Sequence, residues 1–336
     1  MKTIRLMVCL FVALAINMQA QEKTREYREK RQEYIDSIKA STWPYKLPVW
    51  GNKIVKRGVD LPYPMGIMVN YVNAEQAVEI SDLMVGVNDL APVPLDIVKF
   101  GDVKAKVQGV NVRADAWILP FVDVYGFAGK TWASTTINVI APIHFSGTTQ
   151  FNGEIYGAGL TFGGAYKNVF GTIDYNHSWT NFKEINGSIH SQMVTPRVGY
   201  IFHFKNHPDQ NIGLWVGTSG LFVNRTTEGV ISLSSLDIGG NASDFDIEGT
   251  QWYQNLSPVH QAVFKKLANS IKDKLQNVDV SNVTIPYSLN KRATSHWSMS
   301  VGGQYQLNHR LQFRTEVGFL GGRSSFLLST NYRFGF

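Results

Sequence analysis

The chain has 336 residues, a formal net charge of +6, 30 glycines and a single cysteine. Charged residues make up 17% of it and aromatic residues 12%, whereas about 25% of an ordinary soluble domain is charged. Disordered chains are rich in charge and poor in aromatic residues, so this composition excludes a disordered protein. The mature sequence has no apolar run long enough for a helical membrane protein, so its apolar surface must recur at short period.

The first 20 residues are predicted to be a cleaved signal peptide. Lys2 and Arg5 precede an apolar stretch at 6–18, and Ala20 supplies a small residue at the cleavage site. A membrane anchor is disfavoured because the stretch is shorter than the roughly 20 residues that span a bilayer. Cys9 leaves with the signal, so the mature chain has neither a disulfide framework nor a thiolate metal site.

Residues 21–63 are predicted to form a charged N-terminal segment and a linker. Positions 22–39 carry many charges of both signs, which is typical of a solvated helix or of a tail that orders on contact. Positions 41–64 are rich in proline and tryptophan. The Lys and Arg residues form no basic stripe, and the protein is exported, so a nucleic-acid partner is not expected.

From residue 64 onward, apolar side chains alternate with polar ones in about ten segments. Charges fall on only one face of the clearest segments, which indicates sheets with one apolar side. The segments lie at 66–73, 110–118, 121–132, 154–164, 169–182, 194–204, 212–223, 297–307, 311–319 and 324–336. Eight to twelve strands remain open, because 75–104 has room for another pair. A secreted β-sandwich also alternates and is the soluble alternative.

Residues 225–294 form an insertion too long for an idle loop. Ser257 and Pro258 provide a helix cap and a first-turn proline. Val263, Leu267 and Ile271 follow at helical spacing, with lysines on most of the remaining surface. The sequence therefore predicts a helix near 257–278.

The last strand ends in an aromatic residue. Tyr332, Phe334 and Phe336 occupy alternate positions there. This ending, the signal peptide and the alternating segments resemble bacterial outer-membrane β-barrel proteins of the small OmpA-like or porin-like kind. The resemblance implies an all-β fold: a transmembrane antiparallel up-and-down barrel over residues 64–336. It further implies recognition of Tyr332, Phe334 and Phe336 by the barrel-assembly machinery, and contact with outer-membrane lipids and lipopolysaccharide.

The same resemblance places the C-terminus, and with it segment 21–63, on the periplasmic side. The links 163–168, 205–211 and 308–310 then become short periplasmic turns. The excursions 74–102, 133–153 and 225–294 become external, as does the short turn 321–323. Three roles stay open for the helix near 257–278: packing over the barrel mouth, gating of the lumen, or binding of lipopolysaccharide through its lysines.

Charged residues on the polar faces of the strands are predicted to line the interior: Arg113, Asp115, Glu154, Asp174, Arg197, Arg314, Glu316 and Arg333. Buried charges need partners, so we expect ion pairs between neighbouring strands. About ten strands enclose little more space than the eight whose interior side chains just fill. A narrow or plugged pore is therefore expected rather than an open porin, unless the charges only stabilise the interior.

The sequence carries none of the P-loop, HExxH, GxSxG or calcium-loop motifs. Its eight histidines are dispersed, so neither a cofactor nor a metal is predicted. His296 and Ser298 lie two residues apart, hence on one face of a strand. They are weak candidates for a hydrolase that acts on lipid or peptide at the barrel rim. The preferred function is non-enzymatic: a structural, surface-interaction or narrow-channel protein of the outer membrane.

Overall fold

The computed structural model describes residues 25–87, 90–94, 99–141, 145–185, 187–204, 206–223, 226–232, 251–255, 257–258, 261–262, 265, 269 and 284–336. Its helices are α1 (Arg25–Ala40), α2 (Gly51–Val55) and the short α3 (Gln251–Gln254). Within these ranges, no helix has the length and apolar character needed to cross a membrane. Most of the predicted helix near 257–278 lies outside the described residues.

Within the described ranges, fourteen strands follow the first two helices. The first seven are β1 (Met65–Val87), β2 (Leu90–Pro94), β3 (Lys99–Phe100), β4 (Val103–Leu119), β5 (Val122–Ala141), β6 (Phe145–Tyr166) and β7 (Val169–Phe182). The others are β8 (Ile189–His203), β9 (Asn211–Val223), β10 (Thr226–Ser232), β11 (Thr284–Ala293), β12 (Trp297–Gln306), β13 (Leu311–Phe319) and β14 (Arg323–Phe334).

Ten of these strands close into an antiparallel barrel. The ring runs β1, β4, β5, β6, β7, β8, β9, β12, β13, β14, and β1 completes it because it pairs with both β14 and β4. Both pairings of β1 are long, because residues Met65 to Gln76 pair with β14 and residues Met65 to Val78 pair with β4. The prediction of an all-β barrel of about ten strands is confirmed.

The two ends of the barrel differ in their connections. At one end, called here the short-turn end, β4–β5, β6–β7, β8–β9 and β12–β13 are joined by links of two to seven residues, at 120–121, 167–168, 204–210 and 307–310. At the other, the long-loop end, β9 and β12 are separated by residues 224–296. The tight β13–β14 turn at this end needs glycine, because Gly321 and Gly322 have φ of 62° and 70°.

At the long-loop end the strands continue into regions predicted to be loops. β1 extends to Val87, and β5 and β6 extend to Ala141 and Phe145. β2 pairs with the end of β1, β3 pairs with β5, and the β10–β11 hairpin adds to the other edge of β1. The excursions 74–102, 133–153 and 225–294 thus contain strands, and of these strands only an extra pair at 75–104 was left open by the sequence. Outward residues become polar there, so alternation fades although the backbone ladder continues.

The outer surface of the barrel is an apolar belt. On the ring strands, outward side chains alternate with inward ones, and the exposed large apolar residues include Val69, Val112, Leu160, Ile173, Val198, Val216, Phe313 and Leu328. Towards the long-loop end the outward positions become polar at Asn73, Gln108 and Lys130. Such a belt is expected where strands cross hydrocarbon, because lipid-facing positions exclude charge.

Candidate functional site: the barrel interior and its covered mouth

Contacts between strands that are not neighbours identify the inward faces. Arg197 on β8 reaches Glu316 on β13, with a distance of 2.9 Å between Nε and Oε2. Tyr125 on β5 donates a hydrogen bond to Asp174 on β7 at 3.0 Å. Strands that are not adjacent in a closed ring meet only through its interior, so these side chains line the lumen.

A four-charge cluster occupies the interior near the short-turn end. Arg113 Nη2 lies 2.6 Å from Asp123 Oδ2, and Arg333 Nη2 lies 3.0 Å from Asp115 Oδ2. The guanidinium of Arg113 also stacks on the ring of Tyr125, 3.5 Å from its centroid. The charges of the two arginines and the two carboxylates cancel, and their attraction offsets part of the free-energy cost of removing the four groups from water.

A second cluster spans the bore. Glu316 accepts hydrogen bonds from Arg197 Nε at 2.9 Å, Arg314 Nη2 at 2.9 Å and the indole of Trp215 at 3.0 Å. Arg314 also packs over the ring of Trp215, 5.0 Å from the centroid. Because Arg197 and Glu316 lie three strands apart in the ring, this cluster narrows the lumen.

Asp174 is held mainly by hydroxyl donors. It accepts hydrogen bonds from Tyr125 at 3.0 Å and from Thr161 Oγ1 at 2.7 Å. Neutral side chains fill in between, for example Asn70, which donates to Asn111 at 2.8 Å. Charged and amide groups therefore fill the interior of the short-turn half.

Seven of the eight predicted interior residues lie on inward faces, whereas Glu154 does not. Glu154 is exposed on β6, on the same face as Tyr156 and Leu160, and it pairs across the sheet with Lys130. Placing it in the lumen was therefore wrong. The sequence already indicated an outward position, because Glu154 alternates in step with the apolar, lipid-facing residues of its own strand. It lies beyond the apolar belt, where an outward carboxylate is tolerated.

His296 and Ser298 contact different groups. Ser298 is buried, and its Oγ accepts hydrogen bonds from Arg323 Nε at 3.0 Å and Nη2 at 2.6 Å. The ring of His296, just before β12, packs edge-on against Phe222, 5.2 Å between centroids. Phe222 is exposed on the outer face of β9. The geometry thus offers Ser298 an arginine and not a general base.

Several interior residues were not predicted from the sequence. Asp123, Tyr125 and Trp215 are buried members of the clusters, and Arg323 is 7% exposed. Parity identifies Asp123 and Tyr125 as inward once Val122 and Val124 are placed outward. Arg323 offered no such signal, because it precedes the alternating segment and was predicted to lie in a turn.

Residues 25–64, called here the N-terminal cap, lie across the short-turn mouth. Val49 N donates to Ile118 O at 2.8 Å, and the ring of Trp50 stacks on Phe121 in the β4–β5 turn. Farther round the ring, Asp60 contacts His309 in the β12–β13 turn, with 2.9 Å between Oδ1 and Nε2. The cap is therefore anchored at two turns that have four strands of the ring between them.

Electrostatics support this position of the cap. Tyr34 on α1 donates a hydrogen bond to Asp60 at 2.8 Å. Burial raises the pKa of Tyr34 well above its usual value, and the negative charges of Asp60 and of Asp209 in the β8–β9 turn raise it further. The hydrogen bond that His309 donates to the Asp60 carboxylate is the main cause that raises the pKa of His309, against the effect of burial. Three of the four short turns therefore surround the cap.

The last residues lie at the same end. Tyr332 is half exposed on the outer face of β14, and Phe336 is 81% exposed beyond the strand. The rings of Phe334 and Phe336 meet edge to face at 5.6 Å. The C-terminal aromatic thus contributes little to packing and is available to a partner. Among the described residues, no group of three His, Cys, Asp or Glu side chains is placed to hold a metal ion.

A closed even-stranded barrel with an apolar belt outside and charges inside defines the class of transmembrane β-barrels of the outer-membrane type. Neither a protein-family model nor a curated protein matches the sequence. Among solved structures, the chain is similar to the β domain of the Bordetella autotransporter BrkA, with 9% identity, a TM-score of 0.37, and coverage of 81% of this chain and 100% of the other.

Two other solved structures show the same level of similarity. For the outer-membrane protein OprG from Pseudomonas aeruginosa the identity is 7% and the TM-score 0.37, covering 82% of this chain and 98% of the other. For the COG4313 outer-membrane channel from Pseudomonas putida F1 the identity is 8% and the TM-score 0.31, and the match covers 82% of this chain and 97% of the other. At such identities and TM-scores, the similarity supports no assignment of function.

Proposed function

We propose that the protein is a non-enzymatic barrel of the bacterial outer membrane that works as a narrow channel with a movable plug. It reaches the membrane after cleavage of its signal peptide near Ala20. The observation that carries the proposal is the position of the N-terminal cap, which crosses the short-turn mouth and is anchored at the β4–β5 and β12–β13 turns.

The distribution of interior side chains supports a passage. Both charge clusters lie in the short-turn half. In the long-loop half the inward residues of β1, β4 and β5 are small at Ala74, Gly109 and Ala133, next to the larger Phe151 of β6. Val107, inward on β4 between Ala74 and Ala133, is 37% exposed. A barrel with only a structural role would gain by filling this space, because packed interiors are more stable than open ones. The exposure of the inward Val107 favours a solute-accessible vestibule beside it.

The cap also favours one orientation. A segment that follows the signal peptide reaches the periplasm first, and here it packs on the short-turn end. We therefore place the short turns and the C-terminus in the periplasm and the long loops outside, with outer-membrane lipids and lipopolysaccharide around the belt. Recognition of Tyr332, Phe334 and Phe336 by the barrel-assembly machinery belongs to the same proposal. The contacts of Ser298 and His296 do not favour the hydrolase alternative.

Single-channel recording of the full mature chain in planar bilayers tests the plug. Asp60→Ala removes the acceptor of both Tyr34 and His309, so it should raise the open probability several-fold over a low basal level. Asp36→Ala is the matched control, because Asp36 lies on α1 and, among the described residues, bonds Gln32 and Lys39 but no residue of the barrel. Heat-dependent gel mobility would report that each variant is folded. Folded barrels without conductance in all three forms would exclude a channel, and equal open probabilities would exclude the cap as its gate.

A further inference from the structure

The long-loop half of the lumen contains one charged side chain among the described residues, Arg323. Its inward neighbours are hydroxyl, glycine and small apolar residues, including Ser298 and Ser300 on β12, Ser219 on β9 and Thr195 on β8. Arg323 is 7% exposed, so its guanidinium is removed from most of the solvent. A cation isolated in a neutral lining differs sharply from the charge clusters nearer the short-turn end.

The other four inward arginines each have a carboxylate partner. The pairs are Arg113–Asp123 at 2.6 Å, Arg197–Glu316 at 2.9 Å, Arg314–Glu316 at 2.9 Å and Arg333–Asp115 at 3.0 Å. Arg323 instead donates to the hydroxyl of Ser298 and the carbonyl of Ser219. Directly across the ladder lies Gln76, which is neutral and turns its amide N–H to backbone carbonyls. Among the described residues, no carboxylate pairs with Arg323.

Two buried hydrogen-bond donors beside Arg323 lack a partner. Nη1 of Arg323 is buried and has no hydrogen-bond partner, and neither has the buried hydroxyl of Ser300. Ser300 follows Ser298 on the same inward face, about 7 Å further along the strand. A buried cation without a counter-charge destabilises the fold, and an unsatisfied donor beside it adds to that destabilisation. A bound anion would remove both costs.

We propose that Arg323, together with Ser298 and Ser300, forms a binding site for a small oxyanion, a carboxylate or a phosphate, that enters from the long-loop end. The guanidinium suits such ligands because it stays charged at every physiological pH and its N–H groups donate to carboxylate and phosphate oxygens. Ser298 holds the guanidinium through Nε and Nη2, and Nη1 and the Ser300 hydroxyl are left for the ligand. The vestibule beside Val107 supplies the approach. The site does not depend on conduction through the barrel.

Binding is measured directly on the full mature chain in detergent, by the broadening of the ³¹P NMR line of inorganic phosphate at constant chloride. The wild type should show saturable broadening that acetate reverses, because acetate presents the same pair of oxygens. Arg323→Gln should weaken phosphate binding at least about tenfold, equivalent to about 1.4 kcal/mol. Arg292→Gln is the control, because Arg292 is an exposed arginine at the same end, paired with Glu79; it should retain the wild-type affinity within about twofold.

Two further variants keep the site testable if Arg323→Gln does not fold. Arg323→Lys keeps the charge but loses the guanidinium that Ser298 orients through Nε and Nη2. Ser300→Ala removes a single hydroxyl. Both variants should weaken phosphate binding several-fold in barrels that keep their heat-dependent mobility. Absence of saturable broadening in the wild type would overturn the site, as would equal affinities for Arg323→Gln and Arg292→Gln. If Arg323→Gln does not fold, an unchanged affinity in Ser300→Ala would overturn it.

Discussion

The carboxylate of Asp60 lies 2.9 Å from Nε2 of His309, and this contact fixes the N-terminal cap to the β12–β13 turn. Tyr34 bonds the other oxygen of the same carboxylate at 2.8 Å. The rings of Tyr63 and His309 lie 6.1 Å apart, and the neighbouring Arg310 packs over Tyr63. One acidic residue of the cap therefore connects α1 with the barrel rim.

The attachment of the cap should depend on pH. Asp60 raises the pKa of His309, chiefly through the hydrogen bond, and Asp209 adds to the effect. A pKa raised in the folded state gives stability that is fully present below the unfolded value of about 6.5 and is lost as the pH rises through the folded value. The cap should thus be held tightly at pH 6 and more loosely at pH 9.

Limited trypsin digestion at Lys53, Lys56 and Arg57 measures this loosening. Cleavage in the wild type should accelerate from pH 6 to pH 9 by more than the intrinsic change in trypsin activity on an unfolded peptide. His309→Gln should remove the extra acceleration, because glutamine does not titrate. A pH profile identical in the two proteins would show that this pair does not control the cap.

Glu316→Gln should strongly destabilise the barrel. The change leaves Arg197 and Arg314 buried around a neutral amide, and breaking a buried ion pair on one side typically costs about 3–5 kcal/mol. Glu79→Gln is the control, because its pair with Arg292 is exposed and should be worth about 1 kcal/mol or less. Urea unfolding of the lipid-refolded proteins gives both values. Similar losses would mean that the cluster across the bore adds no special stability.

The position of the apolar belt predicts where a charge is tolerated. Val112→Arg places a cation on the lipid face of β4 and should cost about 2–4 kcal/mol. Gln108→Arg lies on the same strand and face, two outward positions nearer the long-loop end, and should cost about 1 kcal/mol or less. Folding into liposomes compares the two. A cost at residue 108 equal to that at residue 112 would place the membrane boundary elsewhere.

The exposed terminal aromatic should act in assembly more than in stability. Phe336→Ala should lower the amount of heat-modifiable barrel in cell membranes several-fold, because a machinery that recognises the terminus loses its contact. Leu320→Ala removes an exposed apolar side chain at the opposite end and should leave that amount unchanged. The unfolding free energies of the two purified variants should agree within about 0.5 kcal/mol. Equal cellular amounts of both would argue against recognition of Phe336.

The sequence by itself determined the barrel, because lipid on one side and polar groups on the other impose period two on every crossing strand. That is why alternation located ten strands and placed Arg197, Glu316 and Arg333 on inward faces. Alternation also gave the parity of Glu154, which matches the outward apolar residues of its strand, so its placement in the lumen misapplied the rule. Beyond the belt the outward residues become polar and alternation fades, so the extensions of β1, β5 and β6 were interpreted as external excursions.

Only the tertiary structure decided which inward groups meet. Arg197 and Glu316 are 119 positions apart in sequence, and Asp60 and His309 are 249 positions apart. Closure of the ring and the lengths of its turns set those contacts, and neither is encoded in local periodicity. The isolation of Arg323 was likewise invisible in the sequence, because an unpaired charge is recognised only when the positions of all its neighbours are known.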